Sequence, residues 1–114
     1  VSVKITTRQV GDVTVVDAAG RITLGEGAIT FRDTIRDLAA KGNQKVLLNL
    51  SEISYIDSSG IGELVSGFTT VRNQGGVLKL VGLTKRVQDL LQITKLYTVF
   101  DVYDDEGTAV RSFT

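Results

Sequence analysis

The 114-residue chain contains neither cysteine nor histidine. Without cysteine there is no disulfide framework, no thiolate nucleophile and no Cys-based zinc or iron–sulfur site. Without histidine, imidazole metal ligation, Ser-His-Asp catalysis and histidine general-base chemistry all lose their usual side chain. Carboxylates, lysines, tyrosines and hydroxyls are the groups left to carry chemistry. A surplus of either charge is also missing: 13 Lys plus Arg balance 13 Asp plus Glu, so no overall field attracts a polyanion and nucleic acid is not an expected partner. Apolar runs such as Val13-Thr14-Val15-Val16 and Val46-Leu47-Leu48 are far too short to span a bilayer. The N-terminus shows no basic-then-apolar signal pattern. No membrane attachment and a cytoplasmic location are the resulting expectations. Proline is absent as well.

What is present is a clear alternation of periods. Val3, Ile5 and Thr7 alternate with Lys4, Thr6 and Arg8, which predicts a strand over Val3–Gln9. Val10-Gly11-Asp12 reads as a turn and Val13–Ala18 as a second strand, an opening hairpin. Gly20, Gly25 and Gly27 interrupt regular structure, and Thr23–Glu26 reads as a loop approaching a helix. From Ala28 onward, Ala28, Phe31, Ile35, Leu38 and Ala39 share one helical face, and Lys41-Gly42-Asn43 ends that helix. Val46–Leu50 is nearly continuous in apolar residues and reads as a central strand. A helix over 59–73 follows, with Ile61, Leu64, Val65, Phe68 and Val71 at helical spacing. Gly75-Gly76 then turns the chain into a fourth strand, Val77–Gly82. Thr84 caps a third helix with Val87, Leu90 and Leu91 apolar. Val99–Tyr103 is the last strand, and Asp104-Asp105-Glu106 lie where acids favour a short final helix carrying Ala109 and Val110. This order predicts an α/β fold: parallel crossovers late in the chain, a mixed sheet because of the hairpin, and helices covering mainly one face.

The most informative stretch is Asp57-Ser58-Ser59-Gly60, which joins a buried strand to an amphipathic helix. It sets two hydroxyls at a helix N-terminus, where unpaired amides and the helix dipole favour an anion, so a phosphate on Ser58 would be electrostatically tolerated. Plain N-capping is the other reading, since Ser and Asp are the usual caps. Spacing alone leaves both open.

The opening hairpin, the run Val46-Leu47-Leu48-Asn49-Leu50, the stretch Ile53-Ser54-Tyr55-Ile56-Asp57-Ser58-Ser59-Gly60-Ile61-Gly62 and the Gly75-Gly76 pair together resemble the STAS-domain anti-sigma factor antagonists of bacteria. The resemblance spans nearly the whole chain. It implies one STAS domain over residues 1–114, with a four- to five-stranded mixed sheet and about four helices. It implies that the unphosphorylated chain binds an anti-sigma factor that is also a serine kinase, freeing the sigma factor. Phosphorylation of the first serine of the motif, Ser58, switches binding off, and a metal-dependent serine phosphatase resets the cycle. Asp57, Ser58, Ser59, Gly60, Ile61 and Gly62 are then the expected partner-binding residues. Many members of the family carry an acid after the second strand in a pattern like Gly-x-Leu-Asp, whereas this chain reads Gly20-Arg21-Ile22-Thr23. Glu26, three residues beyond Thr23, is placed to substitute, so both join the expected partner surface; capping of the first helix is the other reading of this pair.

Other features are weaker. Gly60, Gly62 and Gly67 fall inside one helix, each costing about 1 kcal/mol relative to Ala. For Gly60 and Gly62, close approach of another backbone or of a phosphate is the expected compensation, and for Gly67 packing of helix on sheet. Lys85-Arg86 reads as a solvated basic patch, and Tyr55 as half-buried and near the rim of an interface. The acids Asp101, Asp104, Asp105 and Glu106 lack an EF-hand spacing and read as capping and solvated residues. No P-loop motif occurs, and no cofactor or metal is expected. A STAS scaffold or transport-complex subunit without a serine cycle is the alternative function. An enzyme is the least supported class, because Ser58 has no histidine, cysteine or lysine partner in the motif.

Overall fold

The computed structural model describes residues 3–114. Strand β1 (Val3–Val10) and strand β2 (Val13–Ile22) form the expected hairpin, paired antiparallel from Val3 opposite Gly20 to Val10 opposite Val13. Helix α1 (Glu26–Ala40), strand β3 (Lys45–Ile56), helix α2 (Ser58–Asn73), strand β4 (Val77–Val81) and helix α3 (Lys85–Ile93) follow in turn. A short 3-10 turn at Tyr97–Val99, strand β5 (Val102–Tyr103) and helix α4 (Glu106–Arg111) complete the order. The sheet is a simple progression, β1-β2-β3-β4-β5, with β2, β3, β4 and β5 mutually parallel.

The stripe from Ala28 to Ala39 buries α1 against the sheet, and α1 ends where the sequence indicates. Gly42 takes φ +84°, and the amides of Gly42 and Asn43 bond back to the carbonyls of Ala39 and Leu38. A left-handed glycine after the last turn satisfies carbonyls the helix would otherwise leave open. Crossovers between parallel strands are right-handed, so steps taken repeatedly in one direction along a sheet place successive helices on the same face. Accordingly α1, α2 and α3 share one core with the sheet, built on Phe31, Ile35, Ile61, Leu64, Val71, Val87 and Leu91 above Val16, Leu48, Leu50 and Leu80.

Three strand boundaries and the side of the last helix differ from expectation. β2 runs on to Ile22 and β3 to Ile56, because the two strands stay paired through register shifts after Asp17 and after Gly20. The exposed Ser51, Glu52 and Ser54 break the apolar run without ending the strand. β5 shrinks to two residues, since Tyr97–Val99 winds into the 3-10 turn. The last helix, α4, lies on the opposite face, over a smaller cluster of Val13, Val15, Leu47 and Val81 closed by Ala109. Among the described residues no parallel strand is paired after α4, and its side is set by the Ala109 contact with this cluster.

Side chains clamp α4 at both ends. Arg8 reaches across from β1 to the Glu106 carboxylate and also pairs with Asp17. Asp105 caps the helix, accepting from the amide of Thr108 at 2.8 Å. The nearly buried Lys79 donates from Nζ to the Ser112 carbonyl and hydroxyl, each at 3.0 Å, with its ammonium near the rings of Tyr103 and Phe113. Asp105 and Glu106 thus serve as cap and ion-pair partner. Lys79→Ala is expected to lower stability by about 2 kcal/mol, the range for hydrogen bonds made by a charged group, as read by urea denaturation.

Candidate functional site

β2, β3 and β4 are parallel and therefore end at one edge of the sheet, where the chain enters α1, α2 and α3 in turn. Arg21 pairs with Tyr55 and Ile22 with Ile56 in the last two steps of the β2–β3 ladder, which brings the Thr23–Glu26 segment beside Asp57-Ser58-Ser59-Gly60. At this edge the backbone amides that helices leave unpaired accumulate.

Asp57 organises them. It is the N-cap of α2, in extended conformation, and its Oδ1 accepts from the amide of Gly60 at 2.9 Å. Its Oδ2 accepts from the amide of Leu24, in the β2–α1 loop, at 3.0 Å. Its own amide donates to the Ile22 carbonyl at 3.4 Å, and its carbonyl accepts from Ile61 at 3.0 Å. Partial desolvation pushes this carboxyl's pKa up, but the backbone amides of Leu24, Gly60 and Ser59 outweigh it and hold the pKa below the usual Asp value. Charge-assisted hydrogen bonds of this kind favour the ionised acceptor.

The motif residues divide sharply by exposure. Ser58, the first residue of α2, is exposed, and Ser59 is half-buried. Gly60 and Ile61 are buried, and Ile61 belongs to the core, so these two place the helix and offer no surface to a partner. The reason for Gly60 is steric: a Cβ there would lie 2.2 Å from the Ile22 carbonyl oxygen and 2.5 Å from Ile56 Cγ1. Another backbone does approach it, that of β2. Gly62 is exposed and a Cβ there would meet nothing within 4 Å, so nothing inside the described chain requires glycine at that place. Gly67 differs from expectation: its Cβ would sit 3.2 Å from Ile35 Cγ2, so it admits helix α1 and does not serve packing on the sheet.

Thr23 and Glu26 reach the site through the loop that carries Leu24. The N-cap of α1 is Gly25, with no side-chain cap hydrogen bond. Thr23 contributes its carbonyl, which accepts from the amide of Ala28 at 3.0 Å, and Glu26 is the first-turn acid of α1. Leu24, not singled out by sequence, is 79% exposed and stands next to the Asp57 hydrogen bond. A lone leucine in a loop of glycines and a glutamate carries no periodic signal. Tyr55 is half-buried, as expected, and its ring receives the guanidinium of Arg86 at 4.4 Å and that of Arg21 at 5.2 Å. Each such contact contributes about 0.5–1 kcal/mol at an exposed position. Arg86 is therefore more than a solvated charge, whereas its neighbour Lys85 makes only an exposed pair with Asp89 at 3.4 Å.

Asp57→Ala should destabilise the chain by about 1–2 kcal/mol, the cost of an N-cap, in thermal or urea melts. Because the folded-state pKa is depressed, the carboxylate's contribution is fully present above the unfolded-state pKa and is lost as pH falls through the folded value. Asp57→Ala should accordingly flatten the acid limb of the stability profile. Gly60→Ala should cost about 3 kcal/mol or more through overpacking against backbone, while Gly62→Ala should stabilise the fold by about 0.5–1 kcal/mol. A Gly62→Ala variant less stable than the unsubstituted chain would mean that Gly62 has a structural role.

Comparison with known proteins agrees with this architecture. The STAS domain profile matches residues 4–109. The anti-sigma-B factor antagonist of Bacillus subtilis is 36% identical over 87 residues, covering 76% of this chain and 78% of that protein. A Thermotoga neapolitana protein assigned to the anti-sigma factor antagonists is 36% identical over 87 residues, 75% of this chain and 77% of its own. The crystal structure of a Thermotoga maritima protein assigned to the same class superposes with a TM-score of 0.88 at 26% identity, covering 96% of this chain and 93% of that one. The chain therefore belongs to the STAS-domain family of anti-sigma factor antagonists.

Proposed function

We propose that this protein is an anti-sigma factor antagonist: unphosphorylated, it binds an anti-sigma factor serine kinase and frees the sigma factor, and phosphorylation of Ser58 switches that binding off. The observation that carries the reading is the placement of Ser58, an exposed hydroxyl at the first position of α2 beside a rigidly held Asp57. A phosphate there adds about −1.5 to −2 charges at the end of a helix that tolerates them, so the domain keeps its fold. The partner meets the charge instead. Repulsion or desolvation inside an interface would weaken binding by about 3 kcal/mol, a hundredfold or more.

The surface that meets the partner comprises Ser58, Gly62, Leu24 and the Thr23–Glu26 loop, with Ser59 at its margin. The reading makes the protein a binding module and not an enzyme. Both oxygens of Asp57 are engaged by backbone amides, so the carboxylate is not disposed to deprotonate its serine neighbour. A metal-dependent serine phosphatase completes the cycle, and the cytoplasm is where such partners act. Among the described residues no helix is long and apolar enough to cross a membrane.

Incubation with the cognate kinase and ATP, followed by intact mass and peptide mapping, should add one phosphate to Ser58 and none to Ser59. Ser58→Ala should bind the anti-sigma factor and resist release, while Ser58→Asp should lose affinity about a hundredfold with its melting temperature kept. Absence of any phosphorylation would favour the scaffold reading, and a phosphate on Ser59 would contradict the assignment of the acceptor.

A further inference from the structure

Arg21 at the end of β2 and Arg86 in the first turn of α3 are distant in sequence, yet both guanidinium groups converge on the ring of Tyr55. Both arginines are exposed, and among the described residues no carboxylate forms an ion pair with either. Some other cations pair with carboxylates, Arg8 with Asp17 and Glu106, Lys45 with Asp12 and Lys41 with Asp37, and what sets Arg21 and Arg86 apart is their convergence on one ring. Asp57, the acid nearest to Tyr55 along the chain, is already occupied by the amides of Leu24 and Gly60. Two like charges gathered on one ring lie within about a Debye length of each other at 0.1 M salt and act on an approaching molecule as a single cationic centre. In a chain whose net charge is zero, such a centre is a local device.

From this arrangement we infer that Arg21, Arg86 and Tyr55 form a docking point for an acidic segment of the anti-sigma factor, which sets the rate and specificity of complex formation. The inference rests on the function proposed above and adds the chemistry of the partner. Two features favour a protein surface as the occupant. The cationic centre is continuous, through the Arg21–Tyr55 and Ile22–Ile56 pairs, with the edge that carries Ser58. That edge also presents the exposed Leu24, so an acidic segment seated on the arginines would have an apolar neighbour to cover. Tyr55 holds the two guanidinium groups in place and leaves their planar donor edges for bidentate pairing with carboxylates.

The test is surface plasmon resonance against the cognate anti-sigma factor at 50 and 300 mM NaCl, using the unsubstituted chain, Arg21→Gln/Arg86→Gln and Arg21→Lys/Arg86→Lys, with thermal melts of all three. The Gln pair should associate about tenfold more slowly at 50 mM and lose most of the salt dependence, since charge complementarity acts chiefly on the association rate. The Lys pair, which keeps the charge, should retain most of the rate, and it decides the matter if the Gln pair folds poorly. A Gln pair that associates as fast as the unsubstituted chain with the same salt dependence, or a Lys pair as slow as the Gln pair, overturns the inference and leaves the proposed function standing. Failure of the unsubstituted chain to bind the anti-sigma factor at all overturns the proposed function, and this inference with it.

Discussion

The Asp57 carboxylate is the interaction on which the rest of the site depends. One oxygen holds the first turn of α2 through Gly60, and the other holds the β2–α1 loop through Leu24. Two chain segments separated by more than thirty residues are thereby tied to one charged group. The tie fixes the direction in which α2 leaves the sheet and so fixes where Ser58 stands. Both Asp57 oxygens are thereby engaged by backbone amides, and Ser58 stands exposed beside them.

Around this tie, burial separates framework from surface within a single short motif. Gly60 has no room for a side chain because the carbonyl of Ile22 lies where its Cβ would be, and Ile61 fills the core. Ser58 and Gly62 face outward from the same first turns. A helix with its start pressed this closely against the sheet has little freedom to move when charge is added beside it. On the function proposed above, the regulated quantity is then the complex and not the fold. Gly62 fits the same scheme: a helical glycine with open space around it lowers stability without serving the fold.

Much of this was legible from the order of residues. The hairpin, the three helices after β2, β3 and β4, the cap at Thr84 and the acids that open α4 follow from period, turn chemistry and capping, which act over a few residues. The features missed are those set by contacts distant in sequence. β3 continues through Ser51, Glu52 and Ser54 because β2 remains beside it. Gly67 accommodates Ile35 of α1, a neighbour that spacing within α2 cannot reveal. Leu24 and Arg21 belong to the site because of a loop-to-cap hydrogen bond and a strand register, and neither leaves a periodic signature. Arg86 reads as a solvated residue until its contact with Tyr55 is visible.

On the proposed function, a phosphate on Ser58 acts on the interface while the Asp57 tie holds. Amide hydrogen exchange of the chain, with and without phosphate on Ser58, measures this directly at Gly60 and Leu24, whose amides bond to Asp57. Protection of both amides and of the core turns of α2 should be unchanged by the phosphate, with differences confined to the exposed amides next to Ser58. Loss of protection at Gly60 and Leu24, spreading along α2, would contradict it and show that phosphorylation acts by opening the fold.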